Sequence, residues 1–314
     1  MVEIKEEACP RIELNSGHSI PQVSLGTFKI SENCTETVKQ AVLTYGYRHL
    51  DCAKVYENEE EVGQAIEECI EAGVPREDLF VTSKLWHTDK GDVEAACRES
   101  LRKLKLEYLD LYLIHWMTPG LDTEGEQWKT TGPPQYLVWK AMEDLVAKGL
   151  VKSIGVSNAT APILIDIIAG AEIVPAVNQI EIHPYNAQPG IKNLHDKFGI
   201  KIECYSSIGA GAFQGKQDKI KDVMVIKDPV ITEIAEAKKV SPARVTLRWH
   251  IQRGLIPLVK TSKVERLGEN MDLFSFELSD DEMEAINGLD QNMRFFNPRH
   301  WGGSWGNIPY YGEQ

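Results

Sequence analysis

YRHLDCAKVYENEEEVGQAIEECIEAGVPREDLFVTSK, residues 47–84, forms one strand–helix–strand unit, and its reading decides the fold. YRHLD (47–51) and LFVTSK (79–84) are short runs of strand length, rich in apolar and β-prone residues. Between them, EEEVGQAIEECIEAG places apolar residues three and four apart and a glycine near its end, the pattern of a helix and its C-terminal cap. A third run, YLDLYLIH (108–115), follows, and the helical stretches ETVKQAVLTYG and YLVWKAMEDLVAKG continue the rhythm. Strand-like segments fall at 22–26, 47–51, 79–84, 108–115, 152–156, 174–178, 200–205 and 255–259. Eight such units predict an α/β fold closed as a parallel (β/α)8 TIM barrel rather than an open doubly wound sheet. Ahead of them, RIELNSGHSIPQ reads as a short β-hairpin with an Asn-Ser-Gly turn. The expected organisation is one domain over 1–314, with the hairpin at about 11–21, the barrel at about 22–271, and a C-terminal helix and tail at about 272–314.

Two insertions break the rhythm. MTPGLDTEGEQWKTTGPPQ (117–135) follows the fourth strand and GAGAFQGKQDKIKDVMVIKDP (209–229) the seventh. Both leave the mouth where a barrel's βα loops gather, so both are candidate substrate or cofactor loops.

That mouth also collects four chemical groups. Asp51, Lys84 and His115 each end one of three consecutive strands, and Tyr56 lies just past the first. An acid, an ammonium, an imidazole and a phenol converging there form a proton-transfer site. A nearby positive charge favours phenolate and lowers a tyrosine's pKa, which suits Tyr56 to act as general acid toward a carbonyl oxygen. Taken singly, each has a plainer reading: Asp51 and Lys84 as a structural ion pair, His115 as a satisfied core residue.

Composition narrows the class. The 314 residues are 42% hydrophobic and 26% charged, ordinary for a soluble globular chain. A net charge of −13 argues against nucleic acid or an anionic membrane as a partner. Six scattered cysteines, with no C-x-x-C and no Cys/His pair at zinc spacing, point to reduced thiols and no metal site. The start, MVEIKEEACP, has no apolar signal core and no apolar run reaches membrane length, so a cytoplasmic location is expected.

No side chain can supply hydride, so carbonyl reduction needs a cofactor. A Rossmann G-x-G-x-x-G after an early strand is absent; GAGAFQG (209–215) has one residue too many and follows the seventh strand. In VKTSKVERLGEN (259–270), Lys260, Lys263 and Arg266 open a predicted helix, an arrangement that suits either a phosphate or a solvated basic face.

The ordered motifs GYRHLDCAKVYENEEEVG (46–63), TSKLW (82–86), DLYLIHW (110–116), GVSN (155–158), NQIEIHPY (178–185), CYSSIGAGAF (204–213) and VKTSKVERLGEN resemble the aldo-keto reductase family over roughly residues 10 to 301. YSSIGAGAF and RFFNPRHWGGSWGNIPYY (294–311) look most like xylose reductases, and DCAKVYENE as much like animal aldose reductases. The resemblance implies that Tyr56 donates the proton, Lys84 lowers its pKa, Asp51 holds Lys84, and His115 orients the carbonyl as neutral imidazole. It implies NADP(H) as the preferred cofactor, with NAD(H) weaker. Tyr205 would stack on the nicotinamide, and Ser157, Asn158 and Gln179 would bind its carboxamide; the Ser157–Asn158 pair also reads as a helix N-cap. Lys260, Thr261 and Arg266 would grip the 2′-phosphate and Glu269 and Asn270 the adenine, with Thr27, Lys29, Ser206 and Ile208 completing the cofactor set. Asp222 would bridge Lys29 and Lys260 over the pyrophosphate as a latch. Phe28, Val55, Trp86, Trp116 and Trp301 would line an apolar substrate pocket.

Departures are specific. Thr261 replaces the usual serine, Val259 and Met117 usual prolines, and Phe28 the usual tryptophan. Ser262 stands where dual-cofactor xylose reductases carry asparagine, and Phe296 where xylose reductases carry their tail asparagine. The expected function is NADPH-dependent reduction of aldehydes or aldoses such as open-chain xylose, by a monomer or homodimer. The alternative is a cofactor-binding regulatory subunit of the potassium-channel β type, which shares the barrel.

Overall fold

Eight parallel strands close into a barrel in the computed structural model of the chain. The structure describes residues 5–30, 32–118, 120–124, 127–209, 223–296 and 311, with the backbone alone over 120–131. Asp222 and Trp301 lie outside the described residues.

The chain opens with β1 (Arg11–Glu13) and β2 (Ser19–Pro21), an antiparallel hairpin. Then follow β3 (Ser24–Gly26), α1 (Cys34–Leu43), β4 (His49–Asp51), α2 (Glu59–Glu71), β5 (Phe80–Leu85), α3 (Val93–Leu104) and β6 (Leu109–Ile114). The first insertion holds β7 (Gly120–Glu124) and β8 (Gln127–Thr131), and leads into α4 (Gln135–Ala147), β9 (Val151–Ser157) and α5 (Ala161–Gly170). The remainder is β10 (Val177–Glu181), α6 (Pro189–Phe198), β11 (Lys201–Tyr205), α7 (Pro229–Lys238), α8 (Pro242–Gln252), β12 (Ile256–Val259), α9 (Leu267–Met271) and α10 (Asp280–Asn287). Around the barrel the order is β3-β4-β5-β6-β9-β10-β11-β12, and β12 pairs back to β3 through Val259 and Leu25. The (β/α)8 expectation holds.

Local chemistry sets many boundaries. Asp92 caps α3 by accepting the Ala95 N–H at 3.0 Å, and Asp228 caps α7 through Val230. Ser279 and Glu282 form a reciprocal capping box on α10. Left-handed residues at Lys105, Gly199 and Lys239 end α3, α6 and α7.

Two expectations shift. The sixth barrel strand, read at 174–178, runs Val177–Glu181. Pro175 has no N–H to give the ladder; its carbonyl accepts from Asn15 of the hairpin turn at 3.0 Å, and pairing to β9 begins with Ala176 N–H to Ile154 O at 2.8 Å. The polar insertion at 117–135 is partly an antiparallel ribbon, β7 on β8, rather than loop throughout. The two short Thr-bearing runs GLDTE and QWKTT carry the strand signal.

Strand alternation divides the core. Outward residues such as Leu25, Leu50, Val81, Ile114 and Val156 pack against the helices. Inside, the lower end is apolar: Leu14 and Ile20 of the hairpin meet Phe80, Leu111, Leu113, Val177 and Ile256. The upper interior is polar. Asp51, Thr82, Lys84, Gln179 and Glu203 are buried there, with His49 below them beside Phe80, and they lead up to the carboxyl ends of the strands.

Candidate active site

Lys84 sits near the top of β5 with no exposed surface. Its ammonium has three donors and three acceptors: Asp51 Oδ1 at 2.6 Å, the Cys52 carbonyl at 2.9 Å and Tyr56 Oη at 3.0 Å. Asp51 ends the neighbouring strand β4, so the pair is built by adjacent parallel strands. Tyr56 rides on a single 3-10 turn, Lys54–Tyr56, immediately beyond it. That turn swings the phenol back over the strand ends, with its ring 4.7 Å from the ammonium.

His115 follows β6 and faces the same space, its ring 5.9 Å from that of Tyr56. Trp86 lies edge-on to His115 at 5.2 Å, and Phe28 packs on Tyr56 at 5.0 Å. Phenol, ammonium, carboxylate and imidazole are thus gathered at one mouth with an aromatic fringe.

Burial decides the protonation states. It opposes charge on Lys84, yet Asp51 and Tyr56 together outweigh it and hold the ammonium above its ordinary pKa. Burial also pushes the Tyr56 phenol above its ordinary range, more than the Lys84 charge pulls it down. The lowering expected from the lysine is therefore present but overridden, because water is excluded around the phenol as well. His115 is held well below the usual histidine range, first by burial and then by the charge of Lys84. It is neutral near pH 7, with one N–H to donate. Its Nδ1 makes no hydrogen bond among the described residues.

The strand ends opposite carry amides. Asn158 lies in the left-handed region (φ 59°). Its Nδ2 donates to the His115 carbonyl at 3.0 Å and its Oδ1 accepts from Tyr205 Oη at 2.7 Å. Ser157 Oγ donates to the Gln179 carbonyl at 2.8 Å. The N-cap reading of this pair is corrected: α5 starts at Ala161 after Thr160, and no side chain caps it. Pro162 in the first turn sets the start two residues later. Tyr311, which the sequence reading passed over, also donates to Asn158 Oδ1, at 3.1 Å.

Of the pocket residues, Val55 is exposed and Trp86 partly so. Trp116 is 1% exposed, stacked beneath Phe296 at 5.9 Å. Phe296 also meets the Tyr205 ring at 5.6 Å. In an unbranched tail segment nothing local in the sequence marks which aromatic turns inward.

The cation cluster lies beyond β12. Lys260, Lys263 and Arg266 are exposed, and none pairs with a carboxylate among the described residues. Partial burial and then the charge of Lys29 lower the Lys260 pKa, so those two cations share one neighbourhood. The predicted helix is only a 3-10 turn, Val264–Arg266, and the five-residue α9. Attraction for an anion here comes from side-chain charge rather than a helix dipole. Thr261 Oγ1 accepts the Lys263 N–H at 3.0 Å and Asn270 is buried, while Glu269 is exposed. Thr27 is buried, donating to the Asp51 carbonyl at 2.9 Å. Ser206 is left-handed (φ 53°) and Ile208 packs on the core beside it.

The aldo/keto reductase family profile matches residues 23–291. A Mycolicibacterium smegmatis aldo-keto reductase is 42% identical, covering 91% of this chain and 95% of its own. The NADPH-dependent D-xylose reductase of Candida boidinii is 39% identical (93% and 97%), and the NADH-dependent D-xylose reductase of Candida parapsilosis 37% (97% and 98%). Among solved structures, the aldose reductase of Schistosoma japonicum superposes with a TM-score of 0.85 at 37% identity, covering 96% and 98%. A Bombyx mori aldo-keto reductase in complex with NADP gives 0.84 at 35%, covering 97% and 99%.

Proposed function

This chain belongs to the aldo/keto reductase family, and from that premise we propose that it reduces aldehydes and aldoses with NADPH, Tyr56 serving as general acid. Membership makes it an NAD(P)H-dependent oxidoreductase acting on carbonyl groups. The observation that carries the finer reading is the contact of a buried ammonium with both Asp51 and the Tyr56 hydroxyl, beside a neutral imidazole.

The residues present fit the cofactor. Asn158 and Gln179 offer amides at the mouth, Tyr205 an aromatic face, and the Lys260–Lys263–Arg266 cluster unneutralised positive charge in an acidic protein. When bound, reduced nicotinamide supplies hydride to the carbonyl carbon. His115 donates a hydrogen bond to the carbonyl oxygen and fixes its position. Tyr56 passes its proton to that oxygen as negative charge develops there. The phenolate left behind forms against the Lys84 ammonium, which Asp51 keeps charged; this places electrostatic stabilisation where charge appears during reaction. Burial of the site keeps water from competing for the proton.

NADPH preference rests on Arg266 and its neighbours, since arginine binds a 2′-phosphate that NADH lacks. The two xylose reductases above are named for opposite cofactors, so the preference comes from this chain's own cations. Phe28, Trp86 and Phe296 support an apolar mouth that suits small aromatic and aliphatic aldehydes alongside open-chain pentoses. Six buried cysteines, none in a disulfide, suit a reducing compartment such as the cytoplasm. Among the described residues no helix is long and apolar enough to cross a membrane. Nothing in the mouth favours the channel-subunit alternative over turnover.

The test is initial rates with NADPH and NADH against xylose, glyceraldehyde and a benzaldehyde. NADPH oxidation with at least one of the three is expected. Tight NADPH binding with no turnover of any would overturn the reductase reading in favour of a regulatory one.

A further inference from the structure

Gln179 is clamped between two carboxylates. Its Nε2 donates to Asp51 Oδ1 at 2.8 Å and to Glu203 Oε2 at 2.6 Å, and all three residues are at least 98% buried. An ionised carboxylate only accepts hydrogen bonds, so the nitrogen end of the amide must face both, and both its hydrogens are then used. The oxygen end faces the other way. Among the described residues, no donor reaches Gln179 Oε1.

Glu203 stands directly opposite Gln179 in the β10–β11 register, and both point into the barrel. Its Oε1 lies 3.3 Å from His49 Nε2 without hydrogen-bond geometry, and that nitrogen is 3.2 Å from Thr82 Oγ1. His49 Nδ1 is 3.3 Å from the Pro21 carbonyl. Polar neighbours therefore line the interior from the hairpin end of the barrel, at His49, up to Gln179.

Asp51 engages only one of the two amide hydrogens. Its Oδ1 already receives the Lys84 ammonium at 2.6 Å, a closer contact than the one from Gln179. A turned amide would face Asp51 with one acceptor–acceptor contact, and Glu203 adds a second, so the two carboxylates together oppose the turn more than Asp51 alone. We propose that Glu203 is a positioning residue that locks the Gln179 amide with its carbonyl oxygen toward the mouth, so that the site accepts a hydrogen bond from the carboxamide –NH2 of bound nicotinamide. The inference rests on the cofactor reading above and deepens it: Glu203 sets which end of the carboxamide the site recognises. Nothing in the resemblance assigned a role to this residue. The raised pKa of Asp51, due to burial first and, against the pull of Lys84, to Glu203 as well, shows that the two carboxylates feel each other.

The probe is a matched pair of oxidised cofactors: NADP and its 3-acetylpyridine analogue, in which a methyl replaces the carboxamide –NH2. Binding of each to the intact protein is followed by quenching of intrinsic tryptophan fluorescence. The wild-type protein should prefer NADP by about tenfold or more, because the analogue leaves a buried acceptor unpaired. Glu203→Leu should reduce that preference to about threefold or less by the loss of one hydrogen bond. Glu203→Gln, whose side-chain oxygen still accepts from Gln179, should keep most of it. Should Glu203→Leu fail to fold, the smaller polar Glu203→Thr replaces it, with the same expectation of loss. A Leu or Thr variant with wild-type preference would overturn the proposal, as would a Gln variant that loses as much as Leu. Wild-type protein that binds NADP tightly without preferring it would sink this inference alone. Wild-type protein that binds neither nucleotide would sink the proposed function and this inference with it.

Discussion

Tyr56 meets two opposed influences, and burial outweighs the ammonium 3.0 Å away. The phenol is therefore fully protonated near neutral pH and ready to donate, while Lys84 steadies the phenolate formed during reaction. Tyr56→Phe should lower kcat by about 10²–10⁴-fold and leave NADPH affinity within about twofold, read by steady-state kinetics and fluorescence titration; unchanged turnover would remove Tyr56 as the acid. His115 works at the other sign. Its depressed pKa means the ring takes up a proton only well below the usual histidine value, so kcat/KM should show no acid limb centred near pH 6.5. A fall with that midpoint would mean the ring titrates normally. The same shift costs stability as pH drops through that value, because the unfolded chain then binds a proton the folded site refuses. Arg266, exposed and without a carboxylate partner among the described residues, gives a third expectation. Arg266→Ala should weaken NADPH by about tenfold or more and NADH hardly at all, since only the former carries the phosphate; equal weakening would assign the arginine another task. Asp51, Lys84 and His115 are legible in the sequence because each ends a strand-like run, and in this architecture strand ends meet. Glu203 is not. In KIECY its alternation with apolar neighbours reads as a solvent-facing carboxylate, and only closure of the barrel turns that polar face inward.

Helix α2 shows how far element-level propensity can mislead. Gly63 lies inside it, where replacement by alanine would ordinarily gain about 1 kcal/mol. In the fold, a Cβ at Gly63 would run into the Lys103 carbonyl and the Leu104 backbone at the end of α3. Gly63→Ala should therefore destabilise by about 1–3 kcal/mol, measured by urea unfolding; a gain in stability would mean α3 yields freely. Most elements were readable from periodicity, because eight strand–helix repeats leave few other ways to bury their apolar faces. The misreadings have local causes. Pro175 moves β10 three residues on by withholding a ladder N–H, and the ribbon β7–β8 hides in a polar insertion because both of its strands are polar as well. The cation cluster loses its long helix since β12 passes through a 3-10 turn before α9 begins. Asp222 and Trp301 fall outside the described residues.

Across the molecule, stability and chemistry occupy opposite ends of one barrel. Ile20 of the hairpin has no exposed surface and packs with Leu14, Phe80 and Ile256 in the lower plug. Ile20→Ala should cost about 2–5 kcal/mol of stability, yet leave kcat within about twofold at temperatures well below unfolding. A matching loss of activity would show that the plug sets the geometry of the mouth through His49 and Glu203. The ring is closed by β12 against β3, through Leu258 with Ser24 and Val259 with Leu25. These partners stand near opposite ends of the barrel sequence, so the order of synthesis separates them. At ~5–20 residues per second, the ribosome delivers Val259 on the order of ten to fifty seconds after Gly26. Through that interval β3 can pair on one side only, and its other edge is open to any passing strand. The nascent chain has to keep that edge to itself until β12 emerges.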